Sequence, residues 1–352
     1  LNLGIGSPDL PAHPEVIRAL QESAAQPTAH KYQSYKGIPA LRAAIAAWYL
    51  KWFNTTLQPE TEILPLMGSK EGIMHICMTY LDAGDQALVP NPGYPTYAAA
   101  VNLAGAQAIP YILSETNAWL PDLAALEKND LRKVKLMFVN FPHMPTGTMP
   151  DDAFFNALIS FAQKHDILLV HDNPYGFILN EHPISMLSFE GARSCVIELN
   201  SLSKSHNMAG WRVGMLCGAA TAIDEVLRFK SNMDSGMFLP VQMAAIKALQ
   251  LERDWYDSIN AVYAERKLAA ASLLTLLQCS FSKEQKGMFL WAKVPAQYAH
   301  AEILSDLLLQ KNAVFITPGS VFGDGGTHYL RISLCSPTSV FEEASQRIQT
   351  TL

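Results

Sequence analysis

Ile167-Leu168-Leu169-Val170-His171-Asp172 is an apolar run that ends in a carboxylate. Branched residues suit a pleated strand, and the lack of polar alternation suits a strand covered on both faces. The amphipathic stretch Asp151–Lys164 before it reads as a helix, and a second apolar run, Cys195–Leu199, comes after it. Further outward, Gln86–Val89 and Val134–Val139 repeat the pattern, so short strands alternate with helices from Ile63 to Gly218. That alternation predicts an α/β fold with a mainly parallel sheet between helices. In such sheets ligands collect at the carboxyl ends of the strands, so the residues just after each apolar run carry most weight.

The rest of the chain has a different rhythm. A Pro-poor, helix-favouring stretch from about Ala244 to Leu277 leads into two strand-like runs, Met288–Ala292 and Tyr329–Leu334. These are interleaved with helical Ala301–Leu309 and Phe341–Gln349. This reads as a second, smaller α/β domain, and the Pro- and Gly-rich segment up to about His30 is expected to cross back and join it. The division expected is a large domain of residues 31–264 and a small domain built from 1–30 and 265–352. No internal repeat or low-complexity segment interrupts the pattern.

The chain has 352 residues, 49% hydrophobic and 16% charged, enough for two cores. Twenty-six basic and 32 acidic residues give a net charge of −6 without single-sign blocks, so the footprint of a nucleic-acid binder is absent. The five cysteines are scattered and form no CxxC pair, which predicts buried thiols in a reducing compartment and no metal site. No apolar run approaches the roughly 20 residues of a membrane span, and no basic signal-peptide start is present, so a cytoplasmic protein is expected. The sequence does not begin with methionine, and an N-terminal extension is expected to be missing.

Several strand-end segments carry candidate chemistry. In Ser201-Leu202-Ser203-Lys204-Ser205, with Arg212 shortly after in Trp211-Arg212-Val213-Gly214, one lysine sits among hydroxyls and an arginine. A lysine amine condenses with an aldehyde, and serines with an arginine hold a phosphate dianion, so the segment points to pyridoxal phosphate; a solvated loop is the competing reading. Met67-Gly68-Ser69-Lys70-Glu71-Gly72 opens a helical stretch, Ile73–Leu81, whose free N–H groups suit an anion, or Ser69 is an ordinary N-cap. Asp172 at a strand end needs a cationic partner, which a protonated pyridine nitrogen would be; a helix cap or loop acid is as good an account. Tyr175, three residues on, can donate to a cofactor's ring oxygen or pack in the core. Tyr94, held between Gly93 and Pro95, can lie against a planar ring or simply make a turn. Arg331 stands inside a strand pattern, where its fork matches a substrate carboxylate or a structural acid.

Taken in order, Gly68-Ser69, Tyr94, Pro145-Thr146-Gly147, Asp172 with Tyr175, Lys204, Arg212 and Arg331 resemble the class I and II aminotransferases of pyridoxal-phosphate fold type I. The likeness runs from Leu3-Gly4-Ile5-Gly6 to Arg331, and within the family Gly68-Ser69-Lys70-Glu71-Gly72-Ile73 and Tyr32-Gln33-Ser34-Tyr35 are most similar to LL-diaminopimelate and related aspartate-type enzymes. The resemblance implies a large domain with a seven-stranded, mainly parallel sheet. It implies that Lys204 holds pyridoxal 5′-phosphate as a Schiff base, that Asp172 pairs with the pyridine nitrogen, and that Tyr175 faces the ring oxygen. Ser69, Ser201 and Arg212 would bind the phosphate, with Gly68, Lys70 and Ser203 beside them; Arg331 and Gly6 would meet the substrate. Tyr32 matches a tyrosine that reaches a neighbouring subunit's phosphate, which implies a homodimer with composite sites. The activity implied is ping-pong transfer of an amino group between an L-amino acid and a 2-oxo acid, with Lys204 as proton shuttle. A carbon–sulfur β-lyase on the same scaffold and a non-catalytic ligand sensor are the alternatives.

One departure stands out. The family's Asn-Pro-Thr-Gly appears here as Met144-Pro145-Thr146-Gly147, and a thioether cannot donate the hydrogen bond that the asparagine gives the ring oxygen. Either Tyr175, Asn140 or His143 compensates, or Met144 merely packs.

Overall fold

The computed structural model describes residues 1–349. Ile63–Leu66 (β1), Gln86–Asn91 (β2), Gln107–Ile112 (β3), Val134–Asn140 (β4), Leu168–Asp172 (β5), Val196–Ser201 (β6) and Gly214–Gly218 (β7) form a seven-stranded sheet. Its order is β1-β7-β6-β5-β4-β2-β3, and only β7 runs against its neighbours. The side-chain period of two is visible in β4. Met137 and Val139 join one buried apolar cluster, while Leu136 and Phe138 join another on the opposite face. Both faces are therefore covered, which is why these strands read as unbroken apolar runs.

Helices supply the cover. Asp152–His165 is capped by the Asp151 carboxylate, which accepts from the Phe154 N–H at 2.8 Å, and it ends where Asp166 turns left-handed at φ 53°. Its buried face is Phe155, Leu158, Ile159, Phe161 and Ala162; each large side chain there contributes about 1.5–3 kcal/mol of burial. The long helical stretch expected from Ala244 to Leu277 is two helices, Leu239–Leu249 and Arg253–Leu276. Glu252 takes an extended conformation between them, with no glycine or proline to announce the break.

The C-terminal part forms a smaller antiparallel sheet of Phe289–Lys293 (β8), Thr317–Pro318 (β9) and Tyr329–Ser333 (β10), in the order β8-β10-β9. Two residues of β9 are too few to show a pattern in sequence, so that strand escaped the reading. The N-terminal segment is divided between the two sheets. Leu3 donates to the Phe315 carbonyl at 2.9 Å and accepts from the Ser333 N–H at 2.8 Å, joining the small sheet. The helix Pro14–Ala24 instead packs on Leu239–Leu249, and Val16 belongs to a core cluster of the large sheet. Asp9 lies between these parts and is gripped by Arg266 of the long helix through two bonds of 2.7 and 2.8 Å. All five cysteines are buried and unpaired. Among the described residues no helix is long and apolar enough to cross a membrane.

Candidate active site

A cavity of about 770 Å³ opens where the carboxyl ends of β4, β5 and β6 face the small sheet and the N-terminal segment. Lys204 enters it from a short helical turn, Leu202–Ser205, directly after β6. That turn is tied down by Leu202 N–H donating to Val213 O at 3.1 Å and Met208 N–H to Leu202 O at 3.2 Å. The Lys204 Nζ donates to the Gly6 carbonyl at 2.5 Å. Burial lowers the pKa of this amine, and the nearby Arg331 and Arg212 charges act in the same direction against an opposing effect of Cys335. Its neutral form is thus favoured more than in an exposed lysine.

One end of the cavity is built for an anion. Ser201 and Ser203 are buried in its wall, and Ser69 is the first residue of the helix Ser69–Tyr80, whose leading N–H groups have no partner within the helix. Gly68, not Ser69, is the cap residue, at φ 91°. A side chain at Gly68 would also collide with Arg212, because a Cβ there would lie 2.2 Å from Nη2. Gly214 is equally constrained, since its Cβ would meet the Gly68–Ser69 backbone at 2.8 Å. Arg212 itself is left-handed at φ 57° and donates to the Ala209 carbonyl at 2.9 Å. Lys70 adds a further exposed cation at the rim.

Opposite this end, Asp172 is 4% exposed. Its Oδ2 accepts from the Tyr97 hydroxyl at 2.8 Å, while Oδ1 is buried without a partner. Burial raises its pKa to about 6, against the lowering effects of the Tyr97 hydrogen bond and of His171. An ionised carboxylate with one unsatisfied buried oxygen calls for a cationic donor. Tyr175 lines the same cavity, and burial raises its pKa. Tyr94 stands edge-on to Tyr97, with ring centroids 5.6 Å apart.

Arg331 reaches in from β10. Its guanidinium lies 4.1 Å from the Phe289 ring and 4.5 Å from that of Phe322, and Nη2 donates to the Gly4 carbonyl at 2.6 Å. Its Nε is buried without a partner and no acidic side chain pairs with it among the described residues; burial lowers its pKa to about 10. A desolvated guanidinium with an open N–H is a seat for a carboxylate.

The donor set fits pyridoxal phosphate. It combines a desolvated amine for an aldehyde, serines, an arginine and a helix start for a phosphate, and an orphaned carboxylate oxygen for a ring nitrogen.

Of the remaining predicted residues, Gly6, Asn140 and Met144 line the cavity, but His143 does not. His143 is buried behind it, within 2.8 Å of the Thr146 hydroxyl, with a pKa lowered to about 3 by burial. The Asn140 side chain is already committed: Nδ2 donates to the Asp172 carbonyl at 2.5 Å, and Oδ1 accepts from the Met144 N–H at 2.7 Å. Tyr32 is 91% exposed and does not line the cavity of its own chain. Tyr97, Gly4, Phe289 and Phe322 belong to the site and were missed. Tyr97 lies only three residues after Tyr94 in the same strand-end segment, and that second tyrosine was the available signal. Away from this cavity, Glu71, His75 and Asp234 bring ligand-type atoms within 4.8 Å of one another. The Lys230 ammonium already sits on both oxygens of Asp234, at 2.8 and 2.6 Å.

A family model described as aminotransferase class I and II matches residues 1–348. The LL-diaminopimelate aminotransferase of Dehalococcoides mccartyi (strain BAV1) is 40% identical over 350 residues, covering 99% of this chain and 90% of that protein. The LL-diaminopimelate aminotransferase of Desulforudis audaxviator (strain MP104C) is 41% identical over 351 residues, covering 99% and 89%. Among solved structures, apo-BacF from Bacillus subtilis has a TM-score of 0.96 at 38% identity, covering 99% of this chain and 90% of that one. An aminotransferase from Staphylococcus aureus has a TM-score of 0.94 at 30% identity, covering 99% and 93%.

Proposed function

The chain belongs to the class I and II aminotransferases, enzymes that use pyridoxal phosphate, and from that premise we propose that Lys204, Asp172 and Arg331 are its working residues and LL-diaminopimelate its amino donor. The observation that carries the assignment of residues is the meeting of three unsatisfied or desolvated groups in one cavity: the Lys204 amine, Asp172 Oδ1 and Arg331 Nε. The donor rests on the relatives, whose names specify that substrate.

Lys204 would hold the cofactor's aldehyde carbon, Asp172 its ring nitrogen, and Ser69, Ser201, Ser203 and Arg212 its phosphate, with Gly68 leaving the room Arg212 needs. When bound, pyridoxal phosphate supplies an aldehyde that captures the substrate's amine and a ring that delocalises the electron pair left at the α-carbon. Arg331 binds the substrate's α-carboxylate bidentately, aided by the Gly6 segment, and so fixes which bond at the α-carbon is presented to Lys204. Nζ of Lys204, freed when the substrate's amine takes its place on that carbon and favoured in its neutral form by desolvation, would then take the α-proton as general base and return it to that same carbon. The ionised Asp172 stabilises positive charge opposite it, and Tyr94 and Tyr175 bound the ring's face and edge. Once Arg212 faces the phosphate and Arg331 the α-carboxylate, Lys70 is the cation at the rim left for a second carboxylate. Two substrates use one cavity in turn, so parallel double-reciprocal lines are expected.

Tyr32 projects from the surface toward a second copy, whose Arg212 end it completes; the exposure of its ring supports this homodimer. The same reading treats the chain as two units meeting across the cavity, with the Pro14–Ala24 helix assigned by its packing to the larger one. It places the protein in the cytoplasm, where five unpaired thiols are stable.

The test is an absorbance spectrum of the cofactor-loaded protein before and after LL-diaminopimelate, glutamate or aspartate is added singly. Conversion of the visible band by LL-diaminopimelate supports the donor, and conversion by another amino acid alone replaces it. Lys204→Ala should lower turnover by about 10³-fold or more, and normal turnover in that variant would sink the assignment.

A further inference from the structure

We infer that Tyr97 is a positioning residue for Asp172: its hydroxyl holds Oδ2 in place, leaves Oδ1 for the ring nitrogen, and keeps the carboxyl group charged inside a dry wall. The inference rests on the proposed pairing of Asp172 with the cofactor. Tyr97 is 1% exposed, stacked on Phe138 with ring centroids 4.9 Å apart and planes at 14°. A phenylalanine would fill the same space. What packing leaves unexplained is the hydroxyl, which would be costly to bury without an acceptor and finds one in Asp172 Oδ2 at 2.8 Å.

The dependence runs both ways. Tyr97 is the one side-chain donor to the Asp172 carboxylate among the described residues; Asn140 reaches only its backbone carbonyl, and Oδ1 has no partner. The titratable groups facing this carboxylate are Tyr97 from the helix Thr96–Leu103, His171 beside it on β5 and Tyr175 just beyond the strand, with Lys204 across the cavity. Of these, Tyr97 supplies the larger of the two influences that favour the charged form, and His171 the smaller. Removing the phenol leaves a buried carboxylate with no side-chain donor, and such a group takes up a proton.

The experiment is carboxyl NMR of the cofactor-free protein labelled with ¹³C-aspartate, with the Asp172 signal identified through Asp172→Asn. In Tyr97→Phe the Asp172 midpoint should move up by about one pH unit or more relative to the native protein. Where Tyr97→Phe does not fold, 3-fluorotyrosine at position 97, a stronger donor of the same shape, should move the midpoint down. A midpoint unmoved in the folded variant overturns the inference, because a purely packing role for Tyr97 leaves the titration alone. The cofactor pairing is judged apart, by the pyridoxal phosphate affinity of Asp172→Asn. Unchanged affinity there with a shifted midpoint in Tyr97→Phe would sink the pairing and leave the Tyr97–Asp172 coupling standing.

Discussion

Nη1 of Arg331 lies 3.4 Å from Sδ of Met144, so a half-buried guanidinium is seated on a thioether where the family pattern has an amide. Sulfur is a weak acceptor, and the cation is otherwise held by one carbonyl and two aromatic faces. The fork is therefore held in place without a counter-charge and stays available to an incoming carboxylate. Arg331→Ala should lower kcat/KM by roughly 10²–10³-fold through loss of a bidentate charge-assisted contact, with cofactor binding retained. A loss below about fivefold in steady-state kinetics would remove Arg331 from substrate binding.

On the proposed placement of the cofactor, Met144 also sets how many donors would face its ring oxygen. Asn140 is spent on Asp172 and on the Met144 backbone, and His143 lies outside the cavity, which leaves Tyr175. Met144→Asn restores a donor and should lower the pH midpoint of the visible absorbance band in the cofactor-loaded protein by about one unit. An unchanged midpoint would mean that position 144 serves only to seat Arg331.

Asp172 gives the cofactor-free protein a definite pH signature. Its pKa is raised to about 6, above the ordinary value of 3.8, so the folded state binds a proton more readily than the unfolded chain between those limits. Stability from this group therefore falls as pH rises from about 4 to about 6, and the cost of the buried charge is fully present above that window. Asp172→Asn should be more stable than the native apoprotein near pH 7.5 by on the order of 3 kcal/mol, with the difference vanishing toward pH 4. Paired urea titrations across that range check it; a constant difference would mean that Asp172 is not the titrating group.

Gly68 combines a left-handed backbone with contact against Arg212. Gly68→Ala should cost about 1–3 kcal/mol in strain and push Arg212 off the phosphate end. Thermal melting and pyridoxal phosphate binding by equilibrium dialysis should report both effects, and a variant that binds normally would release Gly68 from this role.

The exposed Tyr32 predicts complementation between chains. Lys204→Ala and Tyr32→Ala chains, each impaired alone, should regain about a quarter of native activity when refolded together, because half the dimers are mixed and each mixed dimer has one intact site. No recovery, with mixed dimers confirmed by mass spectrometry, would place Tyr32 outside the partner's site.

The strand runs around β2, β4, β5 and β6 were legible because apolar side chains on both faces leave an uninterrupted local pattern, and strand-end placement then singled out Asp172 and Lys204. The break at Glu252 and the strand Thr317–Pro318 were not, since neither disturbs composition over a helical or strand period.

By itself the sequence determined the alternation of strands and helices, the family likeness, and which charged side chains stand at strand ends, because each depends on residues a few positions apart. Only the tertiary structure decided what those side chains meet. Lys204 finds the Gly6 carbonyl 198 positions away, Arg331 finds that of Gly4 at 327 positions, and Tyr97 finds Asp172 at 75. Hydrogen bonds of that span leave no local pattern in a sequence. They are made when burial strips water from polar groups and the folded chain must supply their partners.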